Sequence, residues 1–405
     1  MKYLVILADG AADYPLSSLG DKTPLQVSHK PFIDQLAQTS ELGLVQTVPE
    51  GMPPGSDVAN LAVMGYDPNL YYTGRSPLEA VSIGVELSPT DVAFRCNLVT
   101  LSGETDYAAQ TMIDYSSDEI STEEAQALIE AIAGQLNSSA FSFYSGFSYR
   151  HLLVWHQGSA ATQLTPPHDI SDRKIASYLP AGEGADLLMD LMQKSRDILK
   201  DHPVNQGRIA RGLRPATSIW LWGQGKKPAI DSFAAKYRIN GTVISAVDLI
   251  KGLGICAGLK IVEVPGATGN VHTNFRGKAE AALAAFRSGQ DFVYLHVEAP
   301  DEAGHRGELE NKIIAIEKID SEMVGVILPE LAKIDPEFRI MILPDHPTPL
   351  SLKTHTSDPV PYLIYRSTTK QPQTPERKFD ETSARATGIL REKGYQLMDR
   401  FINGD

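Results

Sequence analysis

The sequence predicts an α/β fold, a mostly parallel sheet with a smaller α+β unit inserted into the chain. Three observations carry this. Short apolar runs of strand length recur along the 405 residues, and helix-length patterns separate many of them. From about Asp91 to Gln157 that alternation gives way to closely spaced strand-like runs. Strands separated by helices need crossover connections, which favours parallel pairing.

The elements follow in order. Tyr3–Ala8 is apolar and stops at Asp9-Gly10, too short for a leader segment and right for a buried strand. A Gly/Pro-rich loop, Gly51–Gly55, leads into the helical pattern Val58–Met64. The inserted unit holds strands at Val92–Leu101, Phe141–Tyr144 and His151–Trp155 around a helix at Thr122–Leu136. Ser121 is placed as that helix's N-cap, with Glu124 three residues on completing a capping box. A Pro-rich stretch, Thr165–His168, and a helix around Asp186–Leu199 finish the insert. The expected division is therefore a discontinuous core, 1–100 and 205–405, and an insert, 101–204. Core strands resume at Ser218–Trp222, Thr242–Ser245, Lys260–Val264, Asp291–His296, Arg339–Leu343 and Val360–Tyr365. Ala246–Cys256 reads as a helix, as does Glu308–Leu328, where Leu309, Ile313, Ile316, Ile319, Met323 and Ile327 recur at three- and four-residue spacing. After Lys370 a polar loop precedes a last helix near Ser383–Arg391.

Composition narrows the partners. Lys plus Arg is 37 against 50 for Asp plus Glu, a net charge of −13, which argues against a nucleic-acid partner. Two cysteines, Cys96 and Cys256, build neither a disulfide framework nor a Cys-rich zinc site, and suit a reducing compartment. No run approaches the roughly 18 apolar residues of a membrane span. A cytoplasmic enzyme without membrane partners is expected; self-association is left open.

Three predicted strands end in metal-ligand residue types. Tyr3–Ala8 ends in Asp9, Asp291–His296 is followed by Asp301 and His305, and Arg339–Leu343 ends in Pro344-Asp345-His346. His355 lies just before Val360–Tyr365. In open α/β sheets the ligand crevice lies beyond the carboxyl ends of the strands, so these residues should converge. One Asp after a strand alone would read as a helix N-cap. Four such features at one edge read as a site. Mixed carboxylate and imidazole donors suit Mn²⁺, Zn²⁺ or Co²⁺, with Mg²⁺ more at home among carboxylates and water. Six ligands exceed the need of one catalytic ion and fit two, an arrangement suited to phosphoryl transfer. Ser56, between the Gly/Pro-rich loop and a helix start, is the nucleophile candidate, although Ser before a helix is also a common N-cap.

With these stretches in view the chain resembles a known family. Leu7–Gly10, Pro54–Asn60, Tyr72–Ala80, His296–His305, Pro344-Asp345-His346 and Thr354-His355-Thr356 look like the cofactor-independent phosphoglycerate mutases of the archaeal-type branch, in the alkaline phosphatase superfamily. The resemblance runs in order from about residue 3 to 365. It implies an alkaline-phosphatase-like three-layer core and a cap that holds the glycerate portion. It implies that Ser56 is transiently phosphorylated, that Asp9, Ser56, Asp345 and His346 hold one divalent ion, and that Asp301, His305 and His355 hold the other. Mn²⁺ is favoured, and no 2,3-bisphosphoglycerate is expected.

A small phosphorylated three-carbon acid needs cationic forks, which Arg supplies best. The substrate-binding candidates are Arg75, Arg150, His151, His168, Asp169, Arg208 and Arg211. One departure stands out. The longer branch of the family carries a Lys in the segment corresponding to Pro265–His272, and none is present here, leaving its role to Lys260, Lys226 or Lys251. The expected reaction interconverts 3-phosphoglycerate and 2-phosphoglycerate through phosphoserine in a site closed to water, with hinges near 85–105 and 200–220. A phosphohydrolase or a mutase for another metabolite is the nearer rival. A homoserine kinase is disfavoured, because Gly223–Lys227 lacks the Ser/Thr and spacing of a P-loop.

Overall fold

The computed structural model describes residues 1–369 and 373–404. The chain opens with strands β1 (Lys2–Ala8) and β2 (Glu41–Val45). It continues through β3 (Val92–Leu101), β4 (Met112–Asp114), β5 (Phe141–Phe147), β6 (Arg150–Trp155) and β7 (Ser218–Lys226). It then returns through β8 (Gly241–Ile244), β9 (Lys260–Val262), β10 (Phe292–Val297), β11 (Phe338–Leu343), β12 (Val360–Arg366) and β13 (Leu390–Arg391).

The chain divides into two compact units, Met1–Tyr72 with the residues from Ile230 onward, and Thr73–Ala229. The first holds an eight-stranded sheet in the order β13-β2-β12-β11-β1-β10-β8-β9. All its strands point one way except β12, which is antiparallel to both β11 and β2. Strand alternation sends each face into its own helical layer. From one face Leu4, Ile6, Val293, Leu295, Ile340 and Ile342 join a core with the helices Phe275–Arg287 and Leu309–Lys318. From the other, Tyr3 meets Phe401 edge-on at 5.7 Å and Phe292 stacks on Phe233 at 4.4 Å. Each fully buried Leu, Ile or Phe contributes on the order of 1.5–3 kcal/mol, and β1 and β10 are buried on nearly every residue.

The second unit is a five-stranded sheet, β4-β3-β6-β5 with β7 on the other side of β3, and its pairings are antiparallel. Its core packs Phe94, Leu98, Leu153, Ile219 and Leu221 with Leu128 and Ile132 of the helix Thr122–Leu136 and Leu188 of the helix Ala185–Lys200. The borders differ from those expected at 101 and 204. Ser218–Trp222, expected as a core strand, pairs with β3 from Val99↔Ser218 to Arg95↔Trp222, so both strands belong to the insert. An apolar run reveals a buried strand but not which sheet it joins.

Three local expectations need correction. Ser121 Oγ accepts from Glu124 N, as the N-cap should, but the Glu124 carboxylate turns away to Arg208 and Arg211, so only half of the capping box forms. The helix expected at Glu308–Leu328 is Leu309–Lys318, then a π turn over Ile319–Val324, then Gly325–Ile334 with Pro329 inside. The wide turn carries Asp320 inward, where Oδ1 accepts from Ile33 N at 2.7 Å. At the C-terminal end, the helix Glu381–Ala386 stops before Gly388, whose φ of +70° breaks it. Leu390 and Arg391 then pair with β2, and a further helix, Leu397–Asn403, follows. Of the polar loop expected after Lys370, residues 370–372 lie outside the described residues.

Candidate active site

The ligand types gather at the carboxyl edge of the eight-stranded sheet. Asp9 follows β1, Asp301 sits in the helix Ala299–Arg306 that follows β10, and Asp345 and His346 follow β11. His355 precedes β12, and because β12 runs against its neighbour its start lies at that same edge. Asp301 and His305 stand one helical turn apart, on one face.

Two groups of ligand atoms result, Asp301 with His305 and His355, and Asp9 with Asp301 and His346; within each, the atoms lie within 4.8 Å of one another. His305 Nε2 is 2.8 Å from His355 Nε2 and 3.3 Å from Asp301 Oδ2. His305 Nδ1 faces the Lys353 carbonyl at 3.0 Å, which can only accept, so Nδ1 carries a proton and Nε2 is the nitrogen turned into the cluster. Asp9 Oδ1 is buried with no hydrogen-bond partner among the described residues, 3.7 Å from His346 Nε2. Burial, then the charges of Asp345 and Asp301, raise the Asp9 carboxyl well above the usual carboxylate range. The hydrogen bond to Asp301 pushes His305 up to about 9, so a cation at Nε2 would take the place of a proton. An orphaned buried carboxylate oxygen and convergent imidazole nitrogens are the donor set a divalent cation satisfies. The residues therefore fit two divalent ions, with Asp301 common to both groups.

Ser56 is the first residue of the helix Ser56–Val63, and the N-cap position belongs to Gly55. The Ser56 side chain does not cap; its Oγ lies 3.1 Å from His346 Nε2. One turn on, Asn60 Nδ2 donates to Asp345 Oδ2 at 2.8 Å, and Asn60 Oδ1 accepts from Tyr294 OH at 2.6 Å. Asp345 Oδ1 accepts from Gly10 N and His346 N. All seven predicted residues, Asp9, Ser56, Asp301, His305, Asp345, His346 and His355, thus meet in one place. Asp345 joins neither close group, and its oxygens are held by Asn60 and two backbone amides.

Sequence reading missed the residues that hold these ligands. His296 is buried, donates from Nε2 to Asp9 Oδ2 at 2.9 Å, and receives Ser245 Oγ at Nδ1 at 3.1 Å. Burial pushes its pKa down to about 3, so the ring stays neutral. Thr348 Oγ1 donates to Asp301 Oδ1. The available signals were spacing: Asn60 lies four residues after Ser56 on a helix, and His296 shares a strand face with Tyr294.

The substrate candidates all lie in the second unit. Arg75 Nε donates to Glu79 at 2.8 Å, and Glu79 also holds Arg95 at 2.7 Å. Arg150 is exposed, its guanidinium 5.2 Å from the Tyr149 ring centre. His168 is exposed and meets Trp222 and Tyr115 edge-on at 5.2 and 6.1 Å; its neighbour Asp169 is exposed too. Arg211 reaches Glu124 from the surface. Two candidates are buried. His151 accepts from Gly146 N at 3.0 Å, and burial pushes it down to about 3. Arg208 bonds to Glu124, the Ser117 carbonyl and the Arg214 carbonyl, so its fork is engaged within the unit.

Residues 37–205 match the family described as 2,3-bisphosphoglycerate-independent phosphoglycerate mutase. The chain is 51% identical over 403 residues to the probable 2,3-bisphosphoglycerate-independent phosphoglycerate mutase of Geobacter sulfurreducens, with 100% of both chains covered. It is 50% identical over 403 residues to the 2,3-bisphosphoglycerate-independent phosphoglycerate mutase of Methanosarcina barkeri, with 99% of each covered. Among solved structures, a protein of Pyrococcus horikoshii is similar at a TM-score of 0.83 and 28% identity, over 100% of this chain and 98% of that one. The cofactor-independent phosphoglycerate mutase of Thermoplasma acidophilum is similar at 0.69 and 28%, over 100% and 99%.

Proposed function

The chain belongs to the 2,3-bisphosphoglycerate-independent phosphoglycerate mutase family, a family of isomerases, and from that premise we propose that it interconverts 3-phosphoglycerate and 2-phosphoglycerate with Ser56 as the phosphoryl carrier. The observation that supports this most is the Ser56 hydroxyl, not used as a helix cap and 3.1 Å from His346 Nε2 at the sheet edge where the carboxylates and imidazoles converge. Relatives that match the whole chain carry the mutase name, so neither the phosphohydrolase nor the kinase reading is favoured.

Asp9, Ser56, Asp345 and His346 would hold one divalent ion, and Asp301, His305 and His355 the other, with Mn²⁺ the favoured metal. When bound, two divalent cations lower the pKa of a hydroxyl beside them and offset charge on the phosphoryl oxygens. Ser56 Oγ gives up its proton and attacks the substrate phosphorus; the Ser56 O–P bond forms as the substrate O–P bond breaks, and the freed glycerate oxygen takes up a proton in exchange, so no net proton is gained or lost. Glycerate reorients, and its other hydroxyl takes the phosphoryl group back, restoring Ser56. Asn60 keeps Asp345 in place throughout, and His296 does the same for Asp9. Arg75, Arg150, His168 and Arg211 are the second unit's candidates for the substrate's carboxylate and phosphate, and Asp169 for its hydroxyl. His151 and Arg208 are buried within the second unit and serve there as supports.

The test is direct. With Mn²⁺ and 3-phosphoglycerate, and without 2,3-bisphosphoglycerate, the protein should produce 2-phosphoglycerate in an enolase-coupled assay. Release of inorganic phosphate in place of 2-phosphoglycerate would contradict the reading.

A further inference from the structure

Two groups of ligands share more than Asp301. Thr348 is fully buried between them. Its Oγ1 donates to Asp301 Oδ1 and stands 3.3 Å from His346 Nδ1. The carboxylate can only accept, so the hydroxyl proton is committed to Asp301 and the hydroxyl lone pair faces the imidazole. His346 Nδ1 must then carry the ring proton. That leaves the Nε2 lone pair toward Ser56 Oγ at 3.1 Å, Asp345 Oδ2 at 3.4 Å and Asp9 Oδ1 at 3.7 Å.

Thr348 is itself clamped. Its N donates to the Ala12 carbonyl at 3.2 Å, and its carbonyl accepts from Lys312 Nζ at 2.8 Å. Lys312 pairs with Asp13 at 2.7 Å, and both side chains are fully buried. Asp13 in turn accepts from Leu350 N at 3.2 Å. A buried ion pair that can be broken only at large cost therefore fixes the backbone carrying this hydroxyl.

We propose that Thr348 is a positioning residue that joins the two cation groups, one hydroxyl setting both the tautomer of His346 and the orientation of Asp301, with the Lys312–Asp13 pair as its anchor. The inference rests on the two-cation reading above. It makes the two cations interdependent, because loss of the hydroxyl disturbs a donor in each group.

The experiment uses the full chain. Mn²⁺ binding is followed by calorimetric titration in wild type, Thr348→Ser and Thr348→Val. Outer partners of metal ligands are typically worth roughly 10–100-fold in affinity, and a loss of that size is expected at both sites in Thr348→Val. Thr348→Ser should stay within about 3-fold of wild type, because it keeps the hydroxyl. In parallel, nitrogen NMR of histidine-labelled, metal-free protein reads the His346 tautomer, with the signal assigned by its loss in His346→Gln. The expected wild-type form carries its proton on Nδ1, and Thr348→Val should lose that preference. A role in packing alone would lower stability while leaving the Mn²⁺ isotherm and the tautomer unmoved, and that result overturns the proposal. So does a Thr348→Ser loss equal to that of Thr348→Val. Should Thr348→Val not fold, an Nε2–H tautomer in the wild type overturns it alone. A wild type that binds no Mn²⁺ sinks the two-cation reading and this inference with it, whereas two bound ions with an unchanged Thr348→Val isotherm sink only the inference.

Discussion

At the residue scale, Gly10 has a φ of +61°, and a Cβ there would meet Asp301 Oδ1 and Thr348 Oγ1, each at 2.5 Å. Gly10→Ala should lose about 2–5 kcal/mol, the sum of left-handed strain and overpacking, read by urea unfolding. Unchanged stability would show that the turn relaxes freely. His296 binds Asp9 without joining the ligand groups, so His296→Gln should weaken Mn²⁺ binding by roughly 10–100-fold while the protein stays folded. An unaltered isotherm would remove its orienting role. The proposed ligands were legible in the sequence where a carboxylate or imidazole follows a strand-length apolar run. Asp9, Asp345 and His346 stand where predicted strands end. Asn60, His296 and Thr348 were not legible, because an amide, an imidazole or a hydroxyl that orients a neighbour looks like any other until the neighbour is placed.

At the scale of elements, strands on the carboxyl side of the sheet were readable because they are short unbroken apolar runs. β2 was not: Glu41 and Gly43 interrupt its apolar pattern. The structure supplies the missing reason, since Arg400, Arg391 and Tyr362 all donate to the Glu41 carboxylate. The π turn within Leu309–Ile334 was hidden because its apolar spacing passes for a regular helix. It buries Asp320, whose Oδ2 lacks a partner among the described residues, and burial pushes that carboxyl up to about 6. A folded-state pKa above the unfolded one means protonation favours the fold. Wild type should therefore lose this contribution as pH rises from about 4 to about 6. Asp320→Asn removes the ionisation and keeps the acceptor for Ile33 N, so its stability relative to wild type should rise across that window in denaturant melts. A difference between the two proteins that stays flat with pH would contradict the account of this turn.

At the scale of the whole molecule, the sequence revealed an insert but misplaced its borders. β3 and β7 are apolar runs like those of the core, and only their mutual pairing assigns them to the second unit. Each unit has its own core, and all the proposed metal ligands lie in the first. Each Mn²⁺ site filled at about 100 times its Kd should stabilise that unit by about 2.7 kcal/mol. Hydrogen exchange should accordingly slow at the carboxyl ends of β1, β10 and β11 and in the helix Ala299–Arg306, leaving the core amides of Thr122–Leu136 unchanged. Equal slowing in both cores would place the cations elsewhere.

The central claim is that Ser56 carries the migrating phosphoryl group, and rapid acid quenching during turnover of 3-phosphoglycerate with Mn²⁺, followed by peptide mass spectrometry, tests it most directly. Phosphate should appear on the peptide containing Ser56 and vanish in Ser56→Ala, which should be inactive but fold normally. Turnover by Ser56→Ala, or phosphate trapped on another residue, would contradict it.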